Sequence, residues 1–300
     1  MEFSFTLITN IEAVGQECKP FSRNTLMPTD TSATGQAHGR PARRKRQALQ
    51  TSETSPDFVE ALARGLRVMR CFGPGVKTLG NLDLATLTGL PKSTISRIVY
   101  TLTAMGYLRY HPDTGRYSPG YGVLALGFGL LANLEVRQLA RPLMEELAQA
   151  TGAAVALGAF DGQAMTYVEA IHGSSALYLR LPVGHRLGPD SAMGRAYMAA
   201  LPAAERDVVL ASFEGQAVAP DVLEQAGRDL SETGCCFAIG DWQQGINAVA
   251  APFATITGEG FFVMSCGGPA GVLPEERLRG EVAGMLRETV KKLSQASHEY

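Results

Sequence analysis

From Phe58 onward, apolar side chains recur at Phe58, Leu62, Leu66, Met69 and Phe72, the spacing of one helix face. Ser55-Pro56-Asp57 before them reads as a helix start: a capping hydroxyl, Pro at the first helical position and an acid in the first turn. Gly73-Pro74-Gly75 ends the run. A second, short helix is predicted over Asn81–Thr88, with Leu82, Leu84, Ala85 and Leu87 apolar, and Gly89 suits the positive φ of a tight turn after it. The third helix carries Ile95, Val99 and Leu102 on one stripe with Ile98 beside them, while Lys92, Ser93, Ser96, Arg97 and Tyr100 fall opposite. Leu108–His111 and Arg116–Tyr117 alternate about Pro112-Asp113-Thr114-Gly115, which predicts a β-hairpin.

Beyond Ser118 the pattern changes. Pro119–Ala132 is apolar with four glycines and is expected to continue into a helix over Val136–Ala150, striped by Leu139, Leu143, Met144 and Leu147 and closed by Gly152. Ala153–Phe160 and Gln163–Ile171 are apolar runs about Asp161-Gly162, a second hairpin. A strand is predicted near Leu177–Leu181, helices over Ser191–Leu201, Ala204–Phe213 and Asp221–Thr233, and strands over Ile246–Ala254 and Phe261–Cys266. A helix from Pro274 to about Ser294 closes the chain. Hairpins and helices mixed in this way predict an α+β domain with an antiparallel sheet.

Three helices and a hairpin in this order make a winged helix-turn-helix. Its third helix has what entry into a DNA major groove requires: short polar side chains near its N-terminus for base edges and cations for phosphates. Lys92, Ser93, Thr94, Ser96, Arg97 and Tyr100 are therefore the candidate contacts to double-stranded operator DNA, with Arg109 and Arg116 of the hairpin flanking the phosphates.

A net charge of −2 over 300 residues hides an asymmetry. Residues 1–118 hold 15 Lys and Arg against 9 Asp and Glu, a net +6, and residues 119–300 hold 12 against 20, a net −8. A basic front and an acidic back suit a DNA reader joined to a part that does not touch DNA. Residues 1–54, rich in Thr, Ser, Gly, Pro and Gln and without a sustained period, read as a disordered extension. Its basic cluster Arg43-Arg44-Lys45-Arg46 is either a solubilising tail or an arm over DNA. That segment gives no structural signal, so Met27 is a candidate for the true start.

The five cysteines and five histidines show no metal-ligand spacing, and no cofactor is implied. The odd cysteine count suits reduced thiols in a cytoplasm. No run of 18 apolar residues exists and the first ten residues lack a basic leader, so neither a membrane span nor a secretory signal is expected. There is no G-x-S-x-G, H-E-x-x-H, Walker A or G-x-G-x-x-G, and no paired acids, so no catalytic residue is expected.

Two places could meet a ligand. Asp190-Ser191-Ala192-Met193-Gly194 opens a helix whose backbone N–H groups could hold a carboxylate, and Phe262–Pro269 ends a strand in small residues. Both patterns are commonly mere punctuation. Trp242, the single tryptophan, stands in Gly240-Asp241-Trp242-Gln243-Gln244-Gly245, where it either anchors a packed loop or lids a pocket.

Over residues 57–295 the chain resembles the IclR family of bacterial transcriptional regulators. The resemblance is carried by Leu90–Arg97, Met105-Gly106-Tyr107-Leu108, Ala192–Tyr197, Asp241–Pro252 and Ser265–Pro269, in that order. It implies a winged helix (55–118), a linker helix (119–135) and a GAF- or profilin-like α+β effector-binding and oligomerisation domain (136–300). It also implies a homodimer or a dimer of dimers on DNA, and a small carboxylic acid effector. By position the family's pocket falls on Leu187, Ala192, Met193, Ile246, Ala248, Ser265 and Gly267, with Ser191 beside it. Ala238, Ala248 and Gly267 stand where small-acid binders of the family can carry an acid, a cysteine and a serine. Fewer polar partners, with Met193 and Ile246 present, favour an apolar or aromatic acid over one of glyoxylate or pyruvate size.

Overall fold

The computed structural model describes residues 56–73, 75–173, 181–213, 218–255 and 260–295. The expected extension over 1–54 and the strand expected near 177–181 fall outside these, except for Leu181, which is not in a strand.

The first helix, α1 (Glu60–Arg70), starts later than Ser55-Pro56-Asp57 suggests, because Val59 is extended and offers no side-chain cap. Its stripe is only partly a core: Val68 is fully buried with Met69 and Phe72 packed beside it, whereas Leu62 and Leu66 are 62% and 54% exposed. Helix α2 (Asn81–Thr88) closes on Gly89, whose φ of 69° turns the chain towards α3 (Lys92–Ala104). Ile95 and Val99 of α3 meet Val68, Leu84 and Leu108 in a small core. Strands β1 (Leu108–His111) and β2 (Arg116–Pro119) pair antiparallel, and Leu79 bridges to Tyr117 at the edge of the hairpin.

Gly120 then lets the chain pass against its own backbone. A Cβ there would sit 2.2 Å from the Gly106 carbonyl oxygen, and the Gly120 N–H donates to Tyr107 O. Helix α4 (Tyr121–Ala132) follows with no buried residue at all. It does not continue into α5 (Glu135–Thr151): the two axes bend by 76°. At the break the Asn133 side-chain amide donates to Gly129 O, capping α4, and Leu134 is extended.

The remaining elements are β3 (Ala154–Phe160), β4 (Met165–Ile171), β5 (Arg186–Leu187), α6 (Ala192–Ala200), α7 (Ala203–Ser212), α8 (Pro220–Thr233), β6 (Cys236–Ile239), β7 (Ile246–Ala254) and β8 (Phe261–Pro269). The C-terminal helix follows as α9 (Glu275–Arg277), a π-helical turn (Leu278–Val282) and α10 (Ala283–Gln295). One antiparallel sheet runs in the order β5-β4-β3-β8-β7-β6. Its large-residue face, with Val155, Leu157, Val249, Phe253 and Met264, packs on α5 and the C-terminal helix. Its other face packs on α6 and α8. Arg137 and Arg141 of α5 hold the buried Glu169 of β4 at 2.9 and 3.2 Å, pinning α5 to the sheet.

Candidate DNA interface and ligand cavity

Burying Ile95 and Val99 turns the opposite side of α3 outward. Lys92, Ser93, Ser96, Arg97 and Tyr100 are exposed, Tyr100 to 76%, while Thr94 is half-buried. The Ser96 hydroxyl is already engaged: it donates to Lys92 O and accepts from the Asn81 amide at 3.2 Å, tying α3 to α2. Among the described residues no ion pair engages Lys92, Arg97 or Arg109, and Arg109 is exposed on β1.

Arg116 departs from its expected place beside a phosphate. Its guanidinium turns inward, donating to Thr78 Oγ1 and Thr78 O at 3.0 Å and to Asp83 Oδ2 at 2.8 Å. Asp83 also accepts from the Gly80 amide, and that bond, together with Arg116, holds its carboxyl below the usual carboxylate range. Strand β2 is thus clasped to the start of α2. The alternation of the hairpin shows which way Arg116 faces but not that an acid waits 33 positions earlier in the chain.

On the α6 face of the sheet, two rows of cross-strand neighbours are small. Ala170, Ala156, Ser265 and Ala250 form one row, and Ala154, Gly267 and Ala248 the next. This leaves a recess open to solvent, with a cavity volume of about 30 Å³. Its floor crosses β4, β3, β8 and β7, roughly 14 Å at about 4.8 Å per strand. Of the eight residues expected here, Leu187, Ser191, Ala192, Met193, Ala248, Ser265 and Gly267 line it. Ile246 does not: it sits half-buried at the start of β7, paired with Pro269, one row beyond Ala248. Tyr167, His172, Leu181, Trp242, Ala154, Ala156 and Ala170 line the cavity as well.

Helix α6 points its N-terminus into the cavity. Ser191 spends its hydroxyl on the cap, donating to Gly188 O at 2.8 Å and accepting from the Gly194 N–H at 3.0 Å. The Ala192 and Met193 N–H groups stay outside both the cap and the helical ladder. Met193 comes this close to the sheet because β3 carries Gly158 beneath it; a Cβ there would lie 2.2 Å from the Met193 sulfur.

Among the described residues no Lys or Arg lines the cavity; the polar groups there are Ser191, Ser265, Tyr167, His172 and the Trp242 indole. Burial pushes the Tyr167 phenol up to about 12, against the hydrogen bond from Ser265, so it is neutral at pH 7. Burial likewise pushes the Cys235 and Cys266 thiols up to about 11 and Cys236 higher still, which keeps all three protonated and unreactive. Among the described residues no three His, Cys, Asp or Glu side chains stand together as a metal site, and no single helix is long and apolar enough to cross a membrane.

The models of two families match this chain. That for the IclR helix-turn-helix domain covers residues 61–112, and that for the bacterial transcriptional regulator IclR C-terminal domain covers 128–295. The chain belongs to the IclR family of bacterial transcriptional regulators. It is a transcription regulator with a DNA-binding helix-turn-helix and a C-terminal effector-binding domain, not an enzyme. The HTH-type transcriptional regulator TsaQ1/TsaQ2 of Comamonas testosteroni is 28% identical over 252 residues, 81% of this chain and 90% of its own. The crystal structure of an IclR family transcriptional regulator from Brucella abortus is 40% identical, covers 80% of this chain and 93% of that one, and superposes with a TM-score of 0.73. An IclR homolog from Microbacterium hydrocarbonoxydans, complexed with 4-hydroxybenzoate, shares the fold at 23% identity and a TM-score of 0.62, over 78% of this chain and 98% of that one.

Proposed function

We propose that this IclR-family chain is a cytoplasmic regulator whose α3 and wing read a palindromic operator as a homodimer or a dimer of dimers. An aromatic carboxylate bound over the small-residue floor switches it. The observation that carries the effector class is the cavity itself: a long apolar floor and two free backbone N–H groups at the start of α6. Those N–H groups suit a carboxylate. The length and apolarity of the floor suit a ring rather than a two- or three-carbon acid. Lys92, Ser93, Thr94, Arg97, Tyr100 and Arg109 supply the DNA contacts, Ser96 ties α3 to α2, and Arg116 braces the wing.

The test uses duplexes that the protein selects from a random-sequence pool. A palindromic site should be enriched, and benzoate-type acids should change its affinity several-fold. Selection of no site, or a selected site insensitive to every ring acid, would sink the proposal. Regulation also requires the acid to favour one dimer geometry over another, because equal affinity for both shifts nothing.

Helix α4 supports self-association. Tyr121, Leu124, Leu126, Phe128 and Leu130 are each 61–81% exposed on a helix of 12 residues. At about 18 Å such a helix is too short for a bilayer core of ~30 Å, and so much bare apolar surface calls for a protein partner. Sedimentation of the Leu124→Glu/Leu126→Glu variant should show a shift from dimer or tetramer to monomer. A wild-type protein that is monomeric at micromolar concentration would contradict this.

A further inference from the structure

We propose that Trp242 is the specificity-determining wall of the cavity, an indole held in place from α6 to receive the face of a planar ring acid. This rests on reading the cavity as an effector site. The loop joining β6 to β7 begins at Gly240 (φ 70°) and ends at Gly245 (φ 76°), backbone conformations that a side chain would strain. Its base is tied down by Gly240 N–H to Ile246 O and by Ala270 N–H to Gly245 O. Between these ends Trp242 is half-buried, packs against the core on the α6 face and lines the cavity.

A side chain of that size on a loop needs a positioning contact, and Asp241 provides it. One carboxylate oxygen of Asp241 accepts from the Trp242 backbone N–H at 3.0 Å, and the other accepts from Arg195 at 2.6 Å. Arg195 is 8% exposed and fully engaged, donating also to Asp190 O and Phe237 O at 2.8 Å. It stands less than one turn beyond Ala192 and Met193. One short helix thus presents the N–H groups for a carboxylate and fixes the aromatic wall. Leu181 and Leu187 close the cavity from the β5 side. A planar ring held between aliphatic and aromatic walls gains stacking that a small aliphatic acid cannot.

Because Trp242 is the single tryptophan of the chain, its emission reports on this wall alone. The full chain is titrated with benzoate, salicylate, phenylacetate and, for contrast, pyruvate, following emission and melting temperature together. A ring acid is expected to change both with one midpoint. Trp242→Ala should raise that midpoint by about 5-fold or more, Trp242→Phe should restore most of it, and neither should alter any response to pyruvate. In the free protein, Asp241→Asn should increase quenching of Trp242 by acrylamide. A ring acid that raises the melting temperature without moving the emission, and binds Trp242→Ala as tightly as wild type, would overturn the role of Trp242 and leave the cavity reading intact. If no ring acid moves either signal, both fall together.

Discussion

Arg97→Ala is expected to weaken operator binding by about 1–3 kcal/mol, roughly 5- to 150-fold, with an unchanged melting temperature. The guanidinium projects from the exposed side of α3, and no ion pair among the described residues holds it. Removing it costs the fold nothing and the DNA contact everything. Arg116→Ala should behave in the opposite way. Its partners are Thr78 and Asp83, so the winged helix should melt earlier and DNA affinity should fall only as the wing loosens. Thermal melts paired with DNA titrations for the two variants decide the matter. Equal melting points with equal affinity losses would mean that Arg116 also faces DNA, and wild-type affinity for Arg97→Ala would remove α3 as the reading helix.

Gly267→Val is expected to shift the response to effector to higher acid concentration while sparing operator binding in its absence. Gly267 lies between Ala154 and Ala248 on the cavity floor. A Cβ there meets the Ala248 Cβ at 3.2 Å, a contact that a shift of a few tenths of an ångström relieves, so the strand should hold. The two remaining methyl groups rise into the space meant for the ligand. Crowding of that kind costs about 1–3 kcal/mol, so the acid should bind roughly 5- to 150-fold more weakly. The measurement is operator affinity against acid concentration for wild type and variant. An unchanged midpoint would show that the acid binds elsewhere.

Much of this molecule is legible along the chain because its signals are local. The period-3.6 stripe of α3, the Gly89 turn and the Pro-Asp-x-Gly hairpin each involve residues within a few positions, and local geometry alone predicts the winged helix. The strands, too, carried a message that large-residue patterns obscure. In β3, Ala154, Ala156 and Gly158 alternate with Val155 and Leu157, and in β8, Ser265 and Gly267 alternate with Met264 and Cys266. Small residues at period two leave room on the α6 face at the ends of β3 and β8, which is where the cavity lies.

The rest required the tertiary fold, because it turns on partners far apart in sequence. Ile246 aligns with the pocket by position and shares a sheet face with Ala248, yet it sits one row further along, opposite Pro269, and the cavity lining stops at Ala248 and Gly267. Leu62 and Leu66 fit a helix stripe, but which apolar stripe meets the core is set by packing, and Val68 took that place. The apolar run from Pro119 reads as the start of one long helix, but α4 ends at Asn133, whose amide caps it, and the chain bends into α5. Arg116 and Trp242 are each ambiguous as single letters. Asp83 and Arg195, 33 and 47 positions away, give the first its structural task and fix the place of the second. Sequence determined the elements and the chemistry each could offer; long-range register and buried charge decided which residues use it.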